Sequence, residues 1–149
     1  MGALVSPISA EQYTRLLPLI ADYQRFYGAE APDDAANDAF FRRFLAPSDD
    51  GLLLGAWLGD DLAGYACLYW TFSSVTPGEV VLMNDLFVAE PHRGAGVGRA
   101  LIDAALATAR ERGAFALRWM TAIDNRDAQR AYERTGAARS TWFEYELRA

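Results

Sequence analysis

The sequence predicts an α/β (α+β) protein: a mixed sheet with helices on both faces. Two observations predict it. Strand-like and helix-like apolar segments succeed one another in the order β-α-α-β-β-β-α-β-α-β. Strands joined by tight turns pair antiparallel, and strands joined across a helix can lie parallel. A third observation sets the scale. The 149 residues are 52% hydrophobic and 13% aromatic, enough for one sizeable core, so one domain over residues 1–149 is expected.

The elements follow in order. Leu4 to Ile8 reads as a short first strand. Ser9 is placed as an N-cap, with Gln12 completing a capping box. A helix is expected from there to about Phe26 or Tyr27, kinked or interrupted by Pro18. A loop over Gly28 to Asp34 leads to a second helix, about Ala35 to Leu45. Pro47 to Gly51 breaks the chain. Strands over Leu52–Leu58 and Ala63–Phe72 are joined by the tight turn Gly59-Asp60-Asp61. Pro77-Gly78 turns into a strand from Val80 to Val88. A long helix, about Val97 to Arg112, ends at Gly113. A strand over Ala116–Thr121, a helix over about Asn125–Arg134 stopped by Gly136, and a last strand over Ser140–Leu147 complete the chain.

Composition excludes several functions. No apolar run approaches the roughly 20 residues of a membrane helix, and no basic segment with an apolar core opens the chain. A cytoplasmic location is expected by default. A net charge of −6 argues against nonspecific nucleic-acid binding. It suits a cationic partner such as an amine, and equally suits plain solubility. All 14 basic residues are arginine, so no lysine Schiff base can form. The one cysteine, Cys67, excludes an internal disulfide and reads as a buried thiol. The one histidine, His92, has no cluster around it, and no metal site is expected.

The run from Pro91 to Ile102 carries the most information. Gly94, Gly96 and Gly98 alternate with Ala95 and Val97, so backbone N–H groups can turn toward one point. The helix behind them offers unpaired N–H groups and partial positive charge to an anion. Arg93 and Arg99 bracket the loop. A P-loop needs a lysine that this chain lacks. A dinucleotide fingerprint needs Gly-x-Gly-x-x-Gly and a carboxylate ending the next strand, which instead ends Trp119-Met120-Thr121. A glycine-rich turn without a ligand remains open at this point. So does the pattern Arg-x-x-Gly-x-Gly, met by Arg93, Gly96 and Gly98.

Two further clusters bear on chemistry. Asn84 and Asp85 interrupt an otherwise apolar strand, a costly placement unless they are hydrogen-bonded or used. Burial would raise the Asp85 pKa, as a general base needs; a carboxylate pinning a neighbouring amide or arginine is the other reading. In the block from Asn125 to Gly136, Ala128 and Tyr132 share one helix face a turn apart. That block is either an ordinary amphipathic helix or a surface on which something approaches Ala128 closely, within reach of the Tyr132 phenol.

The Arg93–Gly98 loop resembles the acyl-coenzyme A pyrophosphate loop of the GNAT N-acetyltransferases. The pattern Asn-x-x-Ala-x-x-x-Tyr-x-x-x-Gly over Asn125–Gly136 is similar to that family's second conserved block. The element order matches its fold over essentially the whole chain. The resemblance implies a mixed, mostly antiparallel sheet with a splayed parallel strand pair, acetyl-CoA as cosubstrate, and an amine as acceptor. It implies that Arg93, Gly94, Ala95, Gly96, Val97, Gly98, Arg99, Asn125, Ala128 and Tyr132 hold the coenzyme. Phe87 and Val88 would offer backbone groups to its pantetheine arm. Tyr132 becomes the candidate general acid and Asp85 the candidate base, in direct transfer without a covalent enzyme intermediate.

By the same resemblance the acceptor lies among the first two helices, their loop and the last strands. That region contains Tyr23, Phe26, Tyr27, Asp33, Asp34, Trp142, Phe143, Glu144, Tyr145 and Glu146; Tyr27, Asp85 and Glu144 are the expected substrate contacts. Asn84-Asp85-Leu86-Phe87-Val88 is similar to the polyamine acetyltransferase branch, which usually has Glu-Asp for Asn84-Asp85. Asp22 to Tyr27 is similar to a branch of histone and D-amino-acid acetyltransferases. The expected reaction is acetyl transfer to a small amine, polyamine or amino acid. The alternatives are a protein or peptide acetyltransferase and a noncatalytic acyl-CoA-binding domain. The aromatic last strand offers an edge that a second copy could pair with, giving a homodimer.

Overall fold

The computed structural model describes residues 2–149. Five strands form one sheet in the order β1-β2-β3-β4-β5: β1 (Leu4–Pro7), β2 (Gly51–Leu58), β3 (Asp61–Ser73), β4 (Gly78–Val88) and β5 (Ala116–Arg118). The first four are antiparallel and β5 runs parallel to β4. The helices α1 (Leu17–Phe26) and α2 (Asp34–Phe41) cover one face; α3 (Val97–Glu111) covers the other. A short α4 (Arg126–Glu133) follows β5. This is the mixed, two-faced sheet that the element order predicts.

Each face has its own core. Under α3 lie Ala63, Ala66, Leu68, Val81 and Met83, with Leu101 and Ala105 from the helix. Under α1 and α2 lie Leu53, Tyr65, Cys67 and Phe87, with Tyr13, Ile20 and Phe41. A pair of side-chain amides ties α1 to α2: Gln24 and Asn37 exchange hydrogen bonds of 2.7 and 2.9 Å.

The register of β4 contains the feature that positions the site. Cys67 pairs with Asp85 and Leu68 with Met83, so Asn84 is an extra residue, a β-bulge. Side chains alternate faces along a strand, and one extra residue reverses the alternation. Val81 and Met83 therefore face α3, whereas Phe87, beyond the bulge, faces α1. Without the bulge Asp85 would share the α3 face with Met83. With it, Asp85 stands on the Tyr65 and Phe87 face.

Beyond Leu82, β4 also loses its neighbour. Its pairing with β5 covers only Val80–Leu82 opposite Ala116–Arg118. Residues Met83 to Val88 have no strand on that side, which is the splay expected from the resemblance. The strand expected to reach Thr121 accordingly stops at Arg118, because β4 no longer supplies partners.

Three other expectations are corrected. The Ser9–Gln12 capping box forms, with both reciprocal bonds (3.0 and 3.2 Å), but it opens a turn and a 3-10 segment, Tyr13–Arg15. The α-helix starts afresh at Leu17, with Pro18 in its first turn, where a missing N–H costs nothing. Pro18 thus begins a helix rather than kinking one. The second helix ends at Phe41 and tightens into a 3-10 turn, Arg42–Phe44.

The last strand, Ser140–Leu147, does not form. A strand exists only where a neighbour meets its N–H and C=O groups, and this segment pairs with none of the five strands. Trp142, Phe143, Tyr145 and Leu147 are 86–99% exposed. The homodimer expectation thereby loses the strand edge on which it rested.

Gly64 is required by close approach. A Cβ there would stand 2.6 Å from the Phe87 carbonyl oxygen and 3.1 Å from Val97 Cγ1. Gly98 has ordinary space, 3.7 Å from Val88 Cγ2. Gly64→Ala should cost about 1–3 kcal/mol, and Gly98→Ala, in a helix, should be neutral or stabilising by up to about 1 kcal/mol. Urea unfolding midpoints check the contrast; coincident midpoints for the two variants would contradict the packing at Gly64.

Candidate active site

Asp85 is 3% exposed. Its carboxylate accepts a hydrogen bond from the Tyr65 hydroxyl (3.1 Å) and one from Asn84 Nδ2 (2.8 Å). Burial pushes its pKa above the ordinary carboxylate value, and the bonds from Asn84, Tyr65 and Tyr23 hold back part of that rise. The network spreads outward. Asn84 Nδ2 also donates to the Tyr69 hydroxyl (3.1 Å), and the Tyr23 hydroxyl lies 3.5 Å from the Asn84 carbonyl oxygen. Burial first, and the Asp85 charge second, raise Tyr65 and Tyr23; Tyr69 is raised by burial and by the Cys67 and Asp85 charges. All three phenols stay protonated at neutral pH; Tyr65 donates directly to the acid, and Tyr69 accepts from Asn84. A buried carboxylate with raised pKa and a shell of hydroxyls can accept a proton from a reacting group.

The open side of β4 faces the glycine loop. The Ala89 N–H reaches the Ala63 carbonyl (2.9 Å), so strand alternation turns the Val88 N–H and C=O the other way, to the unpaired edge. Phe87 turns its backbone toward Tyr65 instead and offers the site its ring. Of the two residues expected to present backbone groups, only Val88 has them on the open edge. Arg93 Nε donates to the Val88 carbonyl (3.1 Å), and its guanidinium stands 5.8 Å from the Phe87 ring centroid. The Val88 N–H remains on the open edge.

Gly94 and Gly96 take φ of +81° and +78°, and Gly96 caps α3. No atom lies within 4 Å of a Cβ built on either, so the loop presents bare backbone to open space. The N–H groups of Val97, Gly98 and Arg99 open α3, whose first intrahelical bond is Ala100 N–H to Gly96 O (3.0 Å). This is a cradle into which side chains do not intrude, as a diphosphate requires. Arg99 is not free beside it: it bonds Asp103 (2.9 Å) and the Arg134 carbonyl (3.4 Å), tying α3 to the end of α4.

Asn125 caps α4, its Oδ1 accepting from the Ala128 N–H (3.3 Å). Tyr132 packs edge-on against Trp119, ring centroids 5.5 Å apart, and is half-buried. Burial raises its pKa, and the nearby Tyr27 phenol adds to the rise. Tyr27 in turn lies 5.0 Å from the Tyr23 ring, which lies 6.1 Å from Phe87. A line of aromatic groups thus runs from the Asp85 shell to Tyr27.

The remaining expected residues divide. Tyr27 sits in that line. Glu144 lies in the exposed C-terminal segment and joins no described part of the site. Asp33 is spent as the N-cap of α2, accepting from the Ala36 N–H (2.9 Å). His92 belongs to the turn before the loop. Cys67 is buried, and burial pushes its thiol up, so it is held as a neutral core group. Tyr65 and Tyr69 are the functional residues that sequence reasoning missed. Their signal was alternation: Tyr65, Cys67 and Tyr69 share one face of β3, opposite the one polar pair in β4.

Comparison with known proteins agrees with this geometry. Residues 16–137 match the acetyltransferase (GNAT) family. An uncharacterized N-acetyltransferase, YhfO, of Bacillus subtilis is 34% identical, covering 86% of this chain and 85% of its own. The D-amino-acid N-acetyltransferase HPA3 of Saccharomyces cerevisiae is 35% identical, covering 86% of this chain and 78% of its own. A solved structure of a probable acetyltransferase superposes with a TM-score of 0.84 at 29% identity, over 100% of this chain and 98% of that one. With the match spanning most of the chain, and a splayed strand, glycine loop and capped tyrosine helix in family order, this chain belongs to the GNAT family of N-acetyltransferases.

Proposed function

We propose that this enzyme transfers acetyl from acetyl-CoA directly to the primary amine of a small molecule. The amino-acid class is favoured, because a D-amino-acid N-acetyltransferase is 35% identical over most of both chains. The observation that carries the reading is the Asn84 bulge. It puts a buried carboxylate on one face of β4 while the strand's other edge stands open to the glycine loop.

The residues divide the reaction among them. The α3 N-terminus and the bare backbone of Gly94 and Gly96 take the diphosphate. The open edge at Val88 takes the pantetheine arm, and the Val88 N–H is placed to polarise the thioester carbonyl as an oxyanion hole does. A neutral amine forms the new C–N bond at that carbonyl carbon, and the C–S bond breaks. The amine proton passes to Asp85 through the surrounding hydroxyls or water. Tyr132 gives its proton to the departing sulfur; burial keeps the phenol protonated until a thiolate forms beside it. One proton leaves nitrogen and one reaches sulfur, so the two groups together balance the step. Arg93 holds the end of β4 through the Val88 carbonyl.

Tyr132→Phe should lower kcat by about 100-fold or more and leave the acetyl-CoA dissociation constant unchanged. Thiol-release kinetics with calorimetry measure both, and an undiminished kcat removes Tyr132 from the acid role. Gly96→Ala forces a side chain onto a positive-φ position in the cradle and should weaken acetyl-CoA binding about tenfold or more. Asp85 generates a pH effect. Its folded pKa lies above the ordinary 3.8, so between those two values the folded state holds more protons than the unfolded chain. Stability should therefore fall as pH rises through that window, and the fall should vanish in Asp85→Asn. Urea midpoints from pH 3.5 upward check the sign as the difference between the parent and Asp85→Asn; a difference that rises through the window contradicts a raised Asp85.

A further inference from the structure

Residues 140–147 belong to no sheet, yet they are shaped as a strand. From residue 138 onward no backbone N–H or C=O bonds a described residue. The side chains that do bond stand two residues apart. Trp142 Nε1 donates to Ser140 Oγ (3.0 Å), and Arg148 Nε to Glu146 Oε1 (3.5 Å). Pairs at that spacing meet on one side of an extended chain, because side chains alternate with period two. The opposite side carries Phe143, Tyr145 and Leu147, which are 87, 91 and 99% exposed. An unordered tail is poor in such residues. Three large apolar groups on one side of an extended segment, all in water, make a surface suited to being covered.

The sheet is short of a strand where such a segment fits. β5 pairs with β4 alone, and its other edge is open. Just beyond β5, Met120 and Ile123 are 78 and 79% exposed, and α4 has no fully buried residue. The charges match as well. Arg118 of β5 and Glu144 of the segment are both exposed, and neither joins an ion pair among the described residues.

An open edge and an unpaired strand are complementary deficits. A foreign partner would meet one and leave the other. A second copy meets both, since each copy supplies what the other lacks and a two-fold arrangement closes the contact. The area suffices. Trp142, Phe143 and Tyr145 carry roughly 150–250 Å² each. Counted in both copies, with the surfaces they cover, they reach the roughly 1,200–2,000 Å² of a stable interface.

We propose that residues 140–147 of one copy add as a strand to the open β5 edge of a second copy, which returns the same contact. The product is a strand-exchanged dimer, with Phe143 and Tyr145 as the anchors of each exchanged segment.

Sedimentation over a dilution series tests this, with amide hydrogen exchange on the same samples. The parent should sediment as a dimer and dissociate on dilution. Phe143→Asp combined with Tyr145→Asp should raise the dissociation constant about 100-fold or more. The double variant should keep the monomer's circular dichroism, because both side chains stand in water in one copy. In the parent dimer the amides of 140–147 and of the outer β5 edge should slow together and lose that protection on dilution. A parent that stays monomeric at every concentration overturns the proposal, as does a double variant that dimerises like the parent. Protection of 140–147 that persists in the monomer puts the segment on its own β5 and overturns it too. A dimer whose 140–147 amides exchange as fast as the monomer's does the same.

Discussion

One extra residue in β4 is the constraint from which the active region follows. Asn84 has no partner across β3, and everything beyond it is rotated by one face. Two consequences arise together. Asp85 moves from the α3 side, where Met83 sits among aliphatic groups, to the side lined by Tyr23, Tyr65 and Tyr69. Next to the bulge, β4 parts from β5, and its outer edge loses a strand partner after Leu82. A carboxylate with donors around it and an open strand edge thus share one local cause. The Asn84 side chain then fastens the bulge by spanning Asp85 and Tyr69.

The hydroxyl shell explains how such a carboxylate is tolerated. A buried acid without partners is expelled from its charged form by desolvation. Here donors from Tyr65 and Asn84 meet both oxygens, so the charged form remains accessible although its pKa is raised. The phenols are raised as well: burial comes first, and losing a proton would also set a second negative charge near Asp85 in the same dry region. The cluster therefore has one group that ionises and several that stay protonated near neutral pH.

Much of this was legible in the sequence. The glycine spacing located the bare-backbone loop ahead of α3, and the Asn125–Gly136 block located the capped helix and Tyr132. The interruption of an apolar strand by Asn84 and Asp85 marked the strand as unusual, because a polar pair in a buried strand needs a reason. What was not legible was direction. Whether Asp85 faces α1 or α3 depends on one residue of register, which alternation alone leaves open once a bulge is allowed. The ends of elements were hidden for a similar reason. Ser140–Leu147 has the residues of a strand, and β5 has three more strand-like residues than it uses, but strand formation is decided by the partner edge. Arg99 and Asp33 carry charges that suited ligand roles. Local bonds, to Asp103 and to the Ala36 N–H, already occupy them.

The splay needs something other than strand pairing to keep its width. Pairing across β4 and β5 is limited to three residues and cannot hold the strands at a fixed separation further along. The helix α3 does this instead. It packs on Val81 and Met83 of β4 through one core and on Leu117 of β5 through the same core, so both walls of the gap are fixed to one rigid body. Small residues make the approach close: Ala63 and Ala66 from β3 meet Ala105 and Ala109 in that core, and Gly64 lets Val97 come in above the Phe87 carbonyl. That close approach is also what aims the first turn of α3, with its unpaired N–H groups, at the end of β4. Arg99 completes the fixture by joining α3 to the carbonyl end of α4. The glycine loop, the open edge and the Tyr132 helix are therefore positioned by one helix, and their mutual distances are set by the packing beneath α3 rather than by the loops that carry them.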